Sequence, residues 1–400
     1  MNLFLKPALA ACLLCLFVFG CATPPKPELP LVKLSPGAYP EFIDDLDYEG
    51  LAASIARSLE YLGRIPSTRT FTVGEDTYDA AHMIRSLERF RDFIATRPDP
   101  GVLKGFIRAY YQVYRSAGEE KTEQVLFTGY FEPLLQGSRF KGPAYRYPVY
   151  GPPEDLAVVD LSRFSSKFKG EKIIGRVDGN TFVPYYDRAD IDRDQALIGK
   201  APELAWVDNP VDLFFLHIQG SGKIAFPDGS TINVHYHSKN GRPYRSIGQL
   251  LIEEDKVSRK EMSMQKIKSY LRNHPQEVDR VLYHNPSYIF FSIEEEGPLG
   301  ALNVKLTPGR SMAVDRGIFP MTALSFIRAQ KPVIDPERPG VILDWTPFSR
   351  FVLNQDTGGA IKGPGRADIF WGSGEYAEIA AGHLKHRGDL FVLVLRPDAA

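Results

Sequence analysis

Apolar residues return every three or four positions in three stretches near the start of the chain: Leu51, Ile55, Leu59 and Leu62; Met83, Leu87, Phe90 and Ile94; and Val102, Phe106, Tyr110 and Val113. That spacing keeps them on one face of a helical turn, so each stretch predicts a helix with one buried side. Asp99 and Pro100 open the third as cap and first-turn residue. Such stripes are packing patterns and carry no chemistry.

The pattern then changes. From Gln124 to about Val234, short aromatic and β-branched runs broken by Gly, Pro and Asp predict strands at Val125–Phe131, Tyr147–Tyr150 and Leu213–Ile218. Ser246-Ile-Gly-Gln249 reads as a capping box opening a helix. Met264, Ile267, Tyr270 and Leu271 mark a second, Pro275 starts a third, and Ser287–Glu294 returns to strand. Towards the C-terminus strands are predicted at Ser311–Val314, Val341–Trp345, Phe348–Leu353, Ala367–Trp371 and Asp389–Leu395, with one short helix after Ser373. Many short strands without strand–helix alternation suggest a barrel.

The N-terminal end stands apart. Ala8–Gly20 is uncharged and shorter than the roughly 20 apolar residues that span a bilayer, so residues 1–20 read as a secretory leader. Val18-Phe-Gly-Cys21 resembles the bacterial lipoprotein processing site, with Cys21 as the lipidated mature terminus. Ala22, in place of an aspartate, suggests sorting to the outer membrane, facing the periplasm. Cys12 and Cys15 fall in the leader, so neither a disulfide framework nor a cysteine metal cage is available. Pro24, Pro25, Pro27, Pro30, Pro36 and Pro40 predict an extended stalk, about 60 Å over twenty residues at about 3.1 Å each. A formal net charge of -1 with mixed signs leaves no basic footprint for nucleic acid and no polybasic membrane patch.

Three aspartates sit in glycine-punctuated, strand-like surroundings: Asp315 in Ala313-Val-Asp-Arg-Gly317, Asp356 in Asn354-Gln-Asp-Thr-Gly-Gly359, and Asp368 in Arg366-Ala-Asp-Ile-Phe-Trp-Gly372. Glycines let a bulky ligand approach the main chain, and Ile369, Phe370 and Trp371 strip water from the neighbouring carboxyl. With an ordinary pKa of about 3.9, only about one aspartate in a thousand is protonated at neutral pH. An acid here therefore needs burial and a repelling carboxylate, which Asp356 is placed to supply to Asp368. Such a group suits glycoside cleavage, where a proton must reach the leaving oxygen. Spacing alone leaves a plainer role open, because Asp-Thr-Gly-Gly is also an ordinary turn.

The segments Asp356-Thr-Gly-Gly-Ala-Ile-Lys-Gly363 and Asp368-Ile-Phe-Trp-Gly372 resemble the signatures of the membrane-bound lytic murein transglycosylase A family. Phe127-Thr-Gly-Tyr-Phe-Glu-Pro133, His217-Ile-Gln-Gly-Ser-Gly222 and Asn285-Pro-Ser-Tyr-Ile-Phe-Phe291 extend the resemblance, which spans about Thr128 to Leu395. It implies cleavage of the MurNAc–GlcNAc β-1,4 bond of peptidoglycan, leaving a 1,6-anhydro ring on MurNAc, with no metal or cofactor. The implied fold is mainly β with helices: a double-psi β-barrel completed by N-terminal helices, with a second β domain inserted. On this reading 1–20 is the leader, 21–43 the lipidated stalk, 44–132 the helical part of the barrel domain, 133–297 the insert and 298–400 the rest of the barrel.

The resemblance places the catalytic acid on Asp368, with Asp356 and Asp315 in support. Thr128, Tyr130, Glu132, Gln219 and Ser221 are expected along the substrate groove, with Gly358 and Lys362 at sugar oxygens. The implied partners are peptidoglycan glycan strands, the outer membrane through a lipid anchor, and cell-wall enzyme complexes. Two departures stand out: Met321-Thr322 follows Phe319-Pro320 where a glycine is expected, and Gly363-Pro-Gly-Arg-Ala367 is one residue longer than the family form.

Two alternatives stay open: a lysozyme-like hydrolase, which needs a second carboxylate or a held water, and a glycan-binding lipoprotein without catalysis. His235 and His237 have zinc-ligand chemistry but lack a third ligand at a recognisable spacing. Glu294-Glu-Glu296 reads as a solvated connection, and His383 and His386 as complements to the end of the last helix.

Overall fold

The computed structural model describes residues 29–399 apart from 121 and 339, so the leader and Cys21 lie outside the described residues. Six strands close into a barrel. In order round the wall they are His386–Leu395, Leu324–Ile334, Ile342–Asp356, Ser311–Val314, Arg366–Ser373 and Val125–Glu132, the last pairing back with the first. Ser311–Val314 runs parallel to Ile342–Asp356, and Arg366–Ser373 parallel to Val125–Glu132. The other wall pairings are antiparallel. Closure pairs the edges an open sheet would expose, and the barrel expectation is met.

Side chains alternate between the faces of a strand, so Phe127 and Phe131 enter the core while Thr128 and Tyr130 face away from it. Helices Leu51–Gly63, Ala80–Ile94 and Pro100–Tyr110 pack on the same core through Leu51, Ile55, Leu87, Phe90 and Ile107. Asp99 caps the third, its Oδ1 accepting the Gly101 and Val102 amides at 2.9 and 3.0 Å. That helix buries Leu103 and Ile107 rather than the expected Val102 and Tyr110, which are exposed.

Three expectations need correction. The stalk does not reach residue 43: Leu31–Lys33 pairs as a strand with Tyr111–Ser116, and Leu31, Tyr39 and Phe42 are buried. Those apolar side chains gain more from the core than an extended segment would from solvent. Leu213–Ile218 lies inside a helix, Pro210–Gln219, because Asn209 caps the Val211 and Asp212 amides and Pro210 presets the first turn. Its continuous apolar run has no period to tell strand from helix. The strands expected at Val341–Trp345 and Phe348–Leu353 are one, Ile342–Asp356, and it pairs along its length with the unexpected strand Leu324–Ile334.

Between the two parts of the barrel the chain builds a second sheet of six strands, in spatial order Ile289–Glu294, Thr231–Lys239, Ser221–Ala225, Leu134–Ser138, Glu203–Val207 and Tyr147–Tyr150. A separate antiparallel sheet holds Ala157–Asp160, Lys172–Asp178 and Thr181–Pro184. At the other end, the fully buried Arg310 locks the N-terminal segment to the barrel. It donates to both Asp44 oxygens at 2.6 and 2.8 Å, to the Glu49 carbonyl at 2.8 Å and to the Phe351 carbonyl at 2.8 Å.

Candidate active site

Strand register assembles the site. Ala313 pairs with Asp356 on one neighbouring strand and with Asp368 on the other, and Asp368 pairs with Thr128. Partners in register point to the same face, so Asp356, Asp368 and Thr128 line one row, with Tyr130 two residues on from Thr128. The two aspartates are separated by two strand spacings, about 10 Å between their backbones.

Their hydrogen bonding differs. Asp356 is fully engaged: Oδ1 accepts the Ala301 and Thr357 amides at 2.9 and 2.8 Å, and Oδ2 accepts the Tyr130 hydroxyl at 2.8 Å. Asp368 Oδ1 accepts the Thr128 hydroxyl at 2.8 Å, and Thr128 in turn accepts from Arg366 Nη2 at 3.3 Å. Asp368 Oδ2 takes no hydrogen bond among the described residues. Both carboxyls are half-buried in dense surroundings. Burial pushes Asp368 up to about 6 against the pull of the Thr128 hydroxyl and Arg366, with the Asp356 charge adding a smaller push. Burial likewise lifts Asp356 to about 6, offset by the Thr357 amide, Tyr130 and Ala301.

The flanking residues act differently from the sequence reading. Ile369 and Trp371 point into the core on the opposite face, so of the three only Phe370 shares the Asp368 face, where it packs on Tyr130 at 5.2 Å. Asp315 does not hydrogen-bond either carboxyl. Its oxygens accept the Gly317 and Gly363 amides at 3.0 and 2.9 Å, so it ties down the loop between Asp356 and Asp368. Although burial acts the other way, the Gly363 and Gly317 amides and Lys362 hold Asp315 below the ordinary carboxyl value.

Gly358 is half-buried in that loop, and a Cβ there would lie 2.7 Å from Ile361 Cγ1. Lys362 is exposed and makes no ion pair among the described residues. Glu132 is buried, with Lys223 Nζ 3.3 Å from one oxygen and no partner on the other among the described residues. Gln219 is already used: its Oε1 accepts the Phe131 amide at 3.1 Å and joins the inserted unit to the barrel strand. Ser221 is buried at the start of its strand. His217 packs beside Arg188 at 3.1 Å; burial and that guanidinium hold it well below the usual histidine range. Sequence reasoning missed Arg366 and Ala301. Arg366, two residues before Asp368 on a strand, was discoverable from the period of two, whereas the Ala301 contact is a loop amide without a side-chain signal.

Two family models match this chain: the MltA specific insert domain over residues 126–292 and the 3D domain over residues 310–394. The membrane-bound lytic murein transglycosylase A of Vibrio cholerae is 32% identical over 313 residues, covering 77% of this chain and 75% of that protein. The Escherichia coli K12 protein of the same name is 31% identical over 72% of this chain and 70% of its own length. Among solved structures, a membrane-bound lytic murein transglycosylase from Agrobacterium tumefaciens superposes with a TM-score of 0.74 at 34% identity, covering 92% of this chain and 98% of that one. E. coli MltA with bound chitohexaose gives a TM-score of 0.69 at 26% identity, over 92% and 95%. The chain belongs to the lytic murein transglycosylase A family and is a lytic transglycosylase.

Proposed function

We propose that Asp368 is the single acid and base that cleaves the MurNAc–GlcNAc β-1,4 bond of peptidoglycan. The observation that carries this reading is the asymmetry of the carboxyl pair: Asp356 has both oxygens engaged, while Asp368, lifted like it to about 6, keeps Oδ2 free among the described residues. Protonated Asp368 delivers its proton to the leaving glycosidic oxygen as the C1–O bond breaks and positive charge grows on C1 of MurNAc. The carboxylate left behind takes the proton from the C6 hydroxyl of the same sugar while O6 bonds to C1, closing the 1,6-anhydro ring. Proximity favours that closure, since nucleophile and electrophile belong to one residue. Asp356 tunes Asp368 by its charge, Thr128 orients the acid, and Asp315 fixes the intervening loop.

Tyr130, Glu132, Gln219 and Ser221 border the glycan path, with Gly358 and Lys362 at sugar oxygens. Support for a glycan substrate comes from the E. coli relative solved with chitohexaose. A hydrolase would need its second carboxylate free to activate water, and Asp356 is occupied. The Val18–Cys21 pattern and the membrane-bound naming of the relatives support a lipid anchor at Cys21 and an outer-membrane location facing the periplasm. The reading is tested by Asp368→Asn: sacculus binding should persist while turnover is lost, and substantial residual turnover moves the role elsewhere.

A further inference from the structure

The small sheet Ala157–Asp160, Lys172–Asp178 and Thr181–Pro184 has two unlike faces. On one, Ile174 lies against Gly241 and Arg176 sits over the Tyr186 ring at 4.6 Å, so the central strand of this face packs on the body of the protein, while Val158 at its edge stays exposed. The register sets Val159 opposite Ile173 and Phe182 opposite Val177, and these four side chains share the other face. None of them belongs to the apolar clusters that form the cores. Val177 is 67% exposed and Ile173 43%.

The loop joining the first two strands adds Phe164, 75% exposed. Within Leu161–Lys172, Arg163, Lys167, Lys169 and Lys172 stand against a single acid, Glu171, and all five are exposed. The nearby Asp160 is engaged by the Ser162 amide and hydroxyl. The chain's even net charge conceals this cluster, which the fold sets beside an apolar face whose Ile173 and Val177 are exposed and whose Val159 and Phe182 are half-buried.

We propose that this sheet and its basic loop dock on an anionic phospholipid surface. Apolar side chains enter the boundary between headgroups and acyl chains while lysines and arginine meet the lipid phosphates, a complementarity in both polarity and sign. The fold takes hold of the chain at Leu31. The ten residues from 21 to 30 can therefore reach at most about 35 Å, the covalent limit of the chain. Such a short tether raises the local concentration of a weak docking face. The proposal draws on the lipid anchor for that concentration alone, and its test leaves the anchor out.

The chain from residue 22 onward is sedimented with vesicles of phosphatidylcholine alone and with phosphatidylglycerol added. Pelleting should rise with phosphatidylglycerol and fall with salt. Lys167→Gln combined with Lys169→Gln should weaken partition about thirtyfold, the equivalent of about 1 kcal/mol per lysine. Phe164→Ser should weaken it as well. All three positions are exposed, so folding and activity on soluble glycan should be unchanged. Equal pelleting with both vesicles, or wild-type pelleting by the variants, overturns the proposal. So does retention on purified sacculi that the lysine variant loses while vesicles bind nothing, which would assign the face to anionic wall peptides.

Discussion

The Thr128 hydroxyl donates to one oxygen of Asp368 at 2.8 Å and leaves the other oxygen open. Two parallel strands, paired residue to residue at these positions, hold the contact. The hydroxyl orients the carboxyl and steadies its charged form, while burial favours the neutral form more strongly, so the group settles at about 6. That balance suits the acid-then-base role proposed for Asp368.

On the proposed mechanism, activity should fall as pH rises through about 6, because Asp368 then loses its proton. Asp356 titrates in the same range and repels it, so the profile reports the pair rather than either residue. Initial rates on sacculi across pH check this. Activity still climbing from pH 7 to pH 8 is the contrary outcome.

The same shift costs stability at neutral pH. A carboxyl whose folded pKa lies above its unfolded value, about 3.9, binds its proton more tightly in the folded state. The contribution of Asp368 is therefore best below about pH 4 and declines as pH rises through about 6. Asp368→Asn should gain about 1–2 kcal/mol at pH 7, less than the full shift because the carboxyl keeps some solvent contact. The gain should vanish near pH 4. Urea unfolding at both pH values measures it, and an unchanged or lowered neutral-pH stability contradicts it.

Thr322 follows Met321 in the turn where the family pattern carries a glycine before the threonine. It has φ 73°, is fully buried, and its hydroxyl finds no partner among the described residues. A β-branched residue in the left-handed region costs about 1–2 kcal/mol. Thr322→Gly should therefore raise stability by about 1 kcal/mol with activity unchanged, read as a higher Tm. A fall in Tm would show that the methyl packs better than the backbone is strained.

Asp44→Ala should cost about 3–5 kcal/mol, because it strands the buried Arg310 charge. It also removes the acceptor for the Leu46, Tyr48 and Phe351 amides. Chemical denaturation measures the loss. A cost below about 1 kcal/mol would mean that the arginine finds other partners.

Much of this was legible in the chain because patterns with a period survive folding. The strand Ser311–Val314 and the helical stripe from Leu51 to Leu62 follow directly from spacing. Leu213–Ile218 lacked such a period, and its Asn209-Pro210 start carried the only helix signal. Leu324–Ile334 was hidden by Pro332, which ordinarily demotes a strand. The hairpin tolerates it where the first strand has run past its pairing with His386–Leu395, which ends at Arg328. For the site, motif residues identified the carboxyls. The difference in hydrogen bonding between Asp356 and Asp368 depended on the Ala301 amide and the Tyr130 hydroxyl, partners distant in sequence and brought close only by folding.

The most direct test of the central claim is mass analysis of the muropeptides released from sacculi by the purified protein, with Asp368→Asn alongside. One free carboxyl and an intramolecular hydroxyl predict products lighter by one water than their reducing counterparts, and none from the variant. Reducing-end products from the wild type, or anhydro products from Asp368→Asn, would contradict it.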